Sequence, residues 1–225
     1  VNSCVNDNNG STPGYSLNND FLYRDKFAKR GRTISVNLGT GYNYRTRDNY
    51  LNTQTVYYQQ MQGMLNDSVD QYGKSLSNAL TLSSNLVYTE PIGKYSQLQM
   101  NYNISWSEND NDKKTYNYAS DRQDYTVFDT LLSNVYKNYY VTHRVGTGYI
   151  LQTEKANLNA GITYQYASLE GNTSFPVVDS TRRYFNNMLP NIMFNYKFTK
   201  LTNLRVVYRA STNAPSISQL QKVID

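Results

Sequence analysis

Residues 95–107 read Tyr-Ser-Gln-Leu-Gln-Met-Asn-Tyr-Asn-Ile-Ser-Trp-Ser. Leu98, Met100, Tyr102, Ile104 and Trp106 fall on one phase of a period of two, and Gln97, Gln99, Asn101, Asn103 and Ser105 on the other. A strand puts successive side chains on opposite faces, so this segment has one apolar face and one amide face. The same alternation continues on both sides. In residues 33–44, Ile34, Val36, Leu38, Tyr42 and Tyr44 oppose Ser35, Asn37, Gly39, Gly41 and Asn43. In residues 157–167, Leu158, Ala160, Ile162, Tyr164 and Tyr166 oppose Asn157, Asn159, Gly161, Thr163 and Gln165. Residues 75–88, 139–151, 188–198 and 204–210 repeat the pattern, and residues 15–27 carry a weaker version.

Most of these eight segments are about twice as long as a globular strand of ~5–6 residues. A strand that crosses a bilayer at its tilt needs ~9–11 residues. Length and alternation together predict an all-β chain: an antiparallel up-and-down transmembrane barrel meander of about eight strands. A soluble sandwich also alternates, but its outer face carries Lys and Glu. Here that face is Asn, Gln, Ser, Thr and Gly.

Composition agrees. The 225 residues include 23 Tyr and 29 Asn, with only 5 Pro. No apolar run exceeds three residues, which excludes membrane helices of ~20 apolar residues. The net charge of +5 comes from interspersed signs, so no basic block indicates nucleic acid. One Cys excludes a disulfide framework, and one His excludes most His-based metal sites. Cys4 reads as a free thiol. Residues 1–14 read as a loop or truncated start, and 15–225 as one barrel segment, incomplete at both ends.

The connections alternate in length. Residues 28–32, 89–94, 152–156 and 199–203 are short polar turns, and 45–74, 108–134 and 168–184 are long polar stretches. Outer-membrane barrels have short periplasmic turns and long extracellular loops. The parity makes Tyr50–Gln60 a strand extension above the membrane. Interfacial aromatics are expected at both strand ends: Tyr88, Tyr149, Tyr196 and Phe198 beside the short turns, and Tyr42, Tyr44, Trp106, Tyr139 and Tyr166 beside the long stretches. The lipid phase of the seven clearer strands holds no charge. Arg144, Lys197, Arg205 and Arg209 fall on the other phase and are the candidate lumen-facing residues.

Chemistry is sparse. His143 falls on the lipid phase with no orienting carboxylate in its strand, so it reads as interfacial rather than catalytic. Glu108-Asn-Asp-Asn-Asp112 lacks the glycine and closing glutamate of a calcium loop and reads as a hairpin tip. Gly39-Thr40-Gly41 and Gly146-Thr147-Gly148 lie inside strands with no helix following, which is not a phosphate loop. Asn172-Thr173-Ser174 matches a glycosylation acceptor by chance. Pro190 interrupts a ladder and reads as a bulge. No catalytic residue, metal site or cofactor is expected.

Four features together resemble a known family: Lys29-Arg-Gly-Arg-Thr33 entering a strand, the turn Tyr88-Thr-Glu-Pro-Ile-Gly93, Leu189-Pro190 before a strand ending Tyr196-Lys-Phe198, and Tyr208-Arg209 before Thr212-Asn-Ala-Pro-Ser-Ile-Ser-Gln-Leu220. The chain resembles outer-membrane β-barrels related to TonB-dependent receptors in the style of Bacteroidota, over roughly residues 15–225. The resemblance implies a slice of a barrel of about 22 strands in the bacterial outer membrane, with outer-membrane lipid as its partner. It also implies a plug domain and a TonB-type energy transducer, neither contained in this sequence. The implied function is the wall of a nutrient uptake receptor. A passive porin-like channel and a surface adhesin or structural barrel are the alternatives, and an enzyme is not expected.

An apolar face without a core and open strand edges both favour aggregation in water. Expressed alone, the chain is expected to need detergent and to give a strand-dominated circular dichroism spectrum there. A monodisperse monomer in plain buffer overturns the membrane reading.

Overall fold

The computed structural model describes residues 3–59 and 63–213. All its regular elements are strands: β1 Ser3–Ser11, β2 Gly14–Lys26, β3 Thr33–Gln59, β4 Gly63–Pro91, β5 Ser96–Ala119, β6 Asp124–Gln152, β7 Ala156–Phe175, β8 Asp179–Lys197 and β9 Asn203–Arg209. From β3 to β9 each strand pairs antiparallel with the next, and β1 and β2 share the other side of β3. Gln60 and residues 214–220 of the C-terminal motif lie outside the described residues.

β1 and β2 form one strand with a notch. Ser11 faces Asp48 and Gly14 faces Arg45, so both halves keep one register against β3. Between them Pro13 accepts a hydrogen bond from the Thr46 amide at 2.9 Å. It has no N–H to return, so the ladder loses one bond there. The sheet is therefore eight strand positions wide, as the alternation predicts. The residues expected to be a loop before position 15 are largely strand instead. Polar side chains do not prevent pairing on a long partner such as β3, which supplies backbone partners for β1.

The face arrangement is set by register. Leu86 faces Tyr102, Tyr102 faces Val145, Val145 faces Tyr164, and Tyr164 faces Met188. Directly opposed residues share a face, so these five make one apolar row across β4 to β8. Val145 is 55% exposed and Met188 64%. Among the described residues the buried apolar side chains are only Ala119, Ala167 and Leu169. The sheet thus has no protein core to cover its apolar face, and lipid takes that place. The β1–β2 edge and the β9 edge are unpaired among the described residues, so the sheet is an open slice of a barrel wall.

The long polar stretches differ from expectation. They are not loops but continuations of the strands into tall hairpins. β4 and β6 each have 29 residues, about three times a bilayer crossing. The β5–β6 turn is confined to residues 120–123, where Gln123 takes φ 52°. Glu108–Asp112 therefore lies inside β5 rather than at a hairpin tip, because Asn109 to Asp112 pair directly with Asn138 to Val135 of β6. β4 likewise runs through Thr89 and Glu90 to Pro91, shortening the expected turn. Backbone pairing needs no apolar side chain, so polar sequence above a membrane supports a ribbon as readily as a loop.

Pro190 is not a bulge. The β7–β8 register runs without a shift from Ala156–Tyr196 to Thr173–Asp179. Its carbonyl accepts from the Ala210 amide at 3.0 Å, which turns its missing N–H toward β9. The pair keeps one of its two bonds, and β9 ends at Arg209.

Placing a charge on the apolar row tests the faces. Val145→Arg is expected to cost ~2–4 kcal/mol, as for a charge at mid-bilayer on a lipid face. It should sharply reduce the heat-modifiable folded fraction in outer membranes. Ser105→Arg, on the opposite face of β5, is expected to assemble near the wild-type level. Equal assembly of the two variants overturns the face assignment.

Candidate functional site

One residue away from the apolar row runs a polar one. Asn37 faces Asn85, Asn85 faces Asn103, Asn103 faces Arg144, Arg144 faces Gln165, and Gln165 faces Asn187. Six strands thus contribute five carboxamides and a guanidinium to a single belt on the face away from lipid. A carboxamide both donates and accepts, so such a belt offers partners of either polarity. The Arg144 Nε donates to the Gln165 Oε1 at 2.8 Å, and the Gln165 Nε2 donates to the Thr212 Oγ1 at 3.2 Å. Gln165 is only 2% exposed.

Thr212 reaches β7 because the chain leaves the sheet after Ala210 and crosses the inner face of β8. Residues 210–212 border a cleft of about 620 Å³ whose inner wall carries Asn101, Asn103, Asn159, Asn191, Arg144 and Arg209. Arg209 stands opposite Asn191. Of the four basic candidates, the fold brings Arg144 and Arg209 to this cleft. Arg205 lies opposite Asn195, and Lys197 opposite Asn203 beside the turn, so both sit lower on the same face.

Gly146 and Gly148 are on this inner face too. A Cβ on Gly146 would meet the Thr163 Oγ1 at 2.7 Å and collide with the Asn101 amide. The glycine makes room for its polar neighbours, a packing role rather than phosphate binding. Gly39 is similar, with the Ser83 Oγ 2.6 Å from a built Cβ. Asn172 lies in β7, where its amide donates to Glu170 and its oxygen accepts from the Ser180 hydroxyl.

The aromatic candidates lie as follows. Tyr42 and Tyr44 sit 6.0 and 5.3 Å from Tyr15, and Trp106 sits 6.3 Å from Tyr139. Tyr166 stacks on Tyr184 at 6.2 Å. At the short-turn end Tyr88 meets Phe27 at 6.3 Å, and Tyr196 meets Phe198 at 4.9 Å. Tyr149 faces Leu98 and Ala160. His143 lies between the Tyr102 and Tyr166 rings, and its Nδ1 is 2.9 Å from the Tyr102 hydroxyl. Among the described residues, no three His, Cys, Asp or Glu side chains come together as metal ligands. Cys4 is exposed.

Two clusters were missed by the sequence reading. The first is an aromatic seam on the hairpins above the membrane. Tyr72 is 4.8 Å from Tyr50 and 6.0 Å from Tyr125, and Phe128 is 5.5 Å from both Tyr116 and Phe175. The Tyr72 hydroxyl donates to Asp48 at 2.5 Å and the Tyr125 hydroxyl to Asp70 at 2.8 Å. The hydrogen bond to Asp48, with burial, pushes the Tyr72 phenol up to about 12. The signal was visible as tyrosines in the supposed loops, but only strand register brings distant hairpins together.

The second is a clamp at the rim that carries the short turns. The Glu90 carboxylate accepts from Arg32 Nε at 2.7 Å, Lys29 Nζ at 2.5 Å and the Tyr88 hydroxyl at 2.7 Å. Arg32, then Lys29, then Tyr88 hold the Glu90 carboxyl well below its ordinary range. The clamp joins the end of β4 to the β2–β3 turn, in which Gly31 takes φ +90°, a left-handed conformation that favours glycine.

Residues 25–225 match the model of the outer membrane protein beta-barrel family. No curated protein matches the sequence. Among solved structures, the chain is similar to the ferric citrate transporter FecA in its unliganded form, at 11% identity and a TM-score of 0.48. That likeness covers 78% of this chain and 27% of the FecA chain. The sequence thus spans about a quarter of that structure's length.

The Glu90 clamp has a definite pH dependence. A carboxylate with a lowered folded-state pKa stabilises the protein above its unfolded value, and this is lost as pH falls. The unfolded value is near 4.5. The stability gap between wild type and Glu90→Gln in detergent is expected to be full at pH 7 and to shrink progressively below about pH 4.5. Urea unfolding at several pH values reads it, and a gap that stays constant down to pH 3 overturns the clamp.

Proposed function

The chain belongs to the outer membrane protein β-barrel family, and from that premise we propose that its sheet is part of the wall of a nutrient uptake receptor. It lies in the bacterial outer membrane, with its apolar row against lipid. In this reading the amide belt lines the solute path or the seat of a plug domain, and the tall hairpins project outside. Import would be energised through a plug and a TonB-type transducer of the inner membrane. The chain itself has no catalytic role.

The observation that carries the reading is the belt from Asn37 to Asn187. A wall that only anchored a surface adhesin needs a filled interior, and small apolar or paired charged residues would serve it. This one presents a row of carboxamides and a guanidinium, which exchange hydrogen bonds with a guest at little cost. Arg144, Arg205, Arg209 and Lys197 give the same face a positive potential, which raises the local concentration of anions.

A plugged receptor and an open channel differ in conductance. The intact protein in a planar bilayer is expected to pass no steady KCl current, and to conduct once any plug domain is deleted. A steady ohmic current through the intact protein replaces the receptor reading with a passive channel.

A further inference from the structure

We propose that the cleft between Arg144, Arg209 and the inward segment 210–212 is a binding site for an acidic sugar of the uronate class. The site begins with a backbone defect. Pro190 offers Ala210 no N–H, so β9 loses its hold on the ladder at that point. The next residues leave the sheet and lie across its inner face. They are pinned there by the Gln165–Thr212 hydrogen bond, and Gln165 is itself held by Arg144. Pro190, Gln165 and Arg144 come from β8, β7 and β6, so three strands fix the roof of one cleft.

The chemistry of the lining defines the guest. Arg144 and Arg209 both border the cleft, and no carboxylate does. Neither arginine has an ion-pair partner among the described residues. A planar guanidinium fork matches a carboxylate bidentately. Around the two cations stand the carboxamides of Asn101, Asn103, Asn159 and Asn191. A row of amides is wasted on a bare inorganic anion but suits vicinal hydroxyls, each of which donates and accepts. The volume of about 620 Å³ lies within the range of small-ligand sites, roughly 300–1,000 Å³, and holds one or two sugar rings. Carboxylate plus hydroxyls at this size is a uronate.

The inference deepens the uptake reading and takes its purpose from it, but its test reads equilibrium binding and no flux. The probes are D-glucuronate and D-glucose, titrated calorimetrically into the intact protein in detergent at low salt. Glucuronate is expected to bind at least tenfold more tightly than glucose. Arg209→Gln is expected to weaken glucuronate about tenfold or more and to leave glucose unchanged. Arg205→Gln, on the same face but outside the cleft, should weaken glucuronate less than about twofold, through the lost long-range charge alone, and leave glucose unchanged. Arg144→Gln serves as a second variant, scored only if heat modifiability shows that it has folded. Absence of glucuronate binding to the wild type overturns the proposal. So does an Arg209→Gln protein with unchanged preference. So does equal loss in Arg209→Gln and Arg205→Gln, which marks a diffuse field rather than a site. A bilayer current from the intact protein would overturn the receptor reading while leaving this result standing.

Discussion

In hydrocarbon, a backbone N–H or C=O without a partner costs several kcal/mol, and no water is present to supply one. That constraint shapes this chain more than any side chain does. From β3 to β8 every membrane-depth residue is paired on a continuous antiparallel ladder. Pro91 closes β4 at its turn, and the two prolines on the strand paths away from a turn obey the same logic. Pro13 sits on the edge strand, and Pro190 turns its missing donor toward the short strand β9. Neither breaks a bond between the long central strands. Where pairing does fail, after Ala210, the chain turns to the polar side of the wall.

With the backbone satisfied, one residue of offset decides everything about the two faces. Leu86 and Asn85 are neighbours in sequence, yet they belong to rows of opposite character that cross the sheet in parallel. The apolar row needs no partner within the protein because lipid covers it. The amide row needs partners, and some come from within: Gln165 is bonded on both sides by Arg144 and Thr212. Gly146 completes the inner surface by leaving space for Asn101 and Thr163. A single interval of 3.3 Å along a strand thus separates a solvent-like lining from a lipid-facing belt.

Above the membrane a different interaction takes over. The strands there stay paired beyond their own hairpins: β4 meets β5 up to Gln71–Asn117, and β6 meets β7 up to Val135–Phe175. The tyrosine seam from Tyr50 to Phe175 ties five adjacent strands at that height. The Tyr72 and Tyr125 hydroxyls end on Asp48 and Asp70, which adds two polar ties to the ring contacts. At the opposite rim, Glu90 does the equivalent with Arg32, Lys29 and Tyr88. Exposed ion pairs stabilise weakly one at a time, and here three donors share one carboxylate. The wall is thereby fastened at both ends.

The sequence by itself determined the period, and with it the strand content, the two faces and the outer-membrane setting. It could do so because a strand's faces are a local property, readable two residues at a time. Strand ends were not legible in the polar stretches. Glu108–Asp112 has no apolar rhythm, and only β6 opposite it shows that the ladder continues. The same is true of β1, whose residues pair because β3 runs past them. The cleft was beyond reach altogether. Arg144 and Arg209 are 65 residues apart, and nothing local says that they border one space. That depends on registers accumulated across β6, β7, β8 and β9, and on which way Pro190 faces its missing N–H. Those are sums over the whole sheet, so only the tertiary structure could decide them.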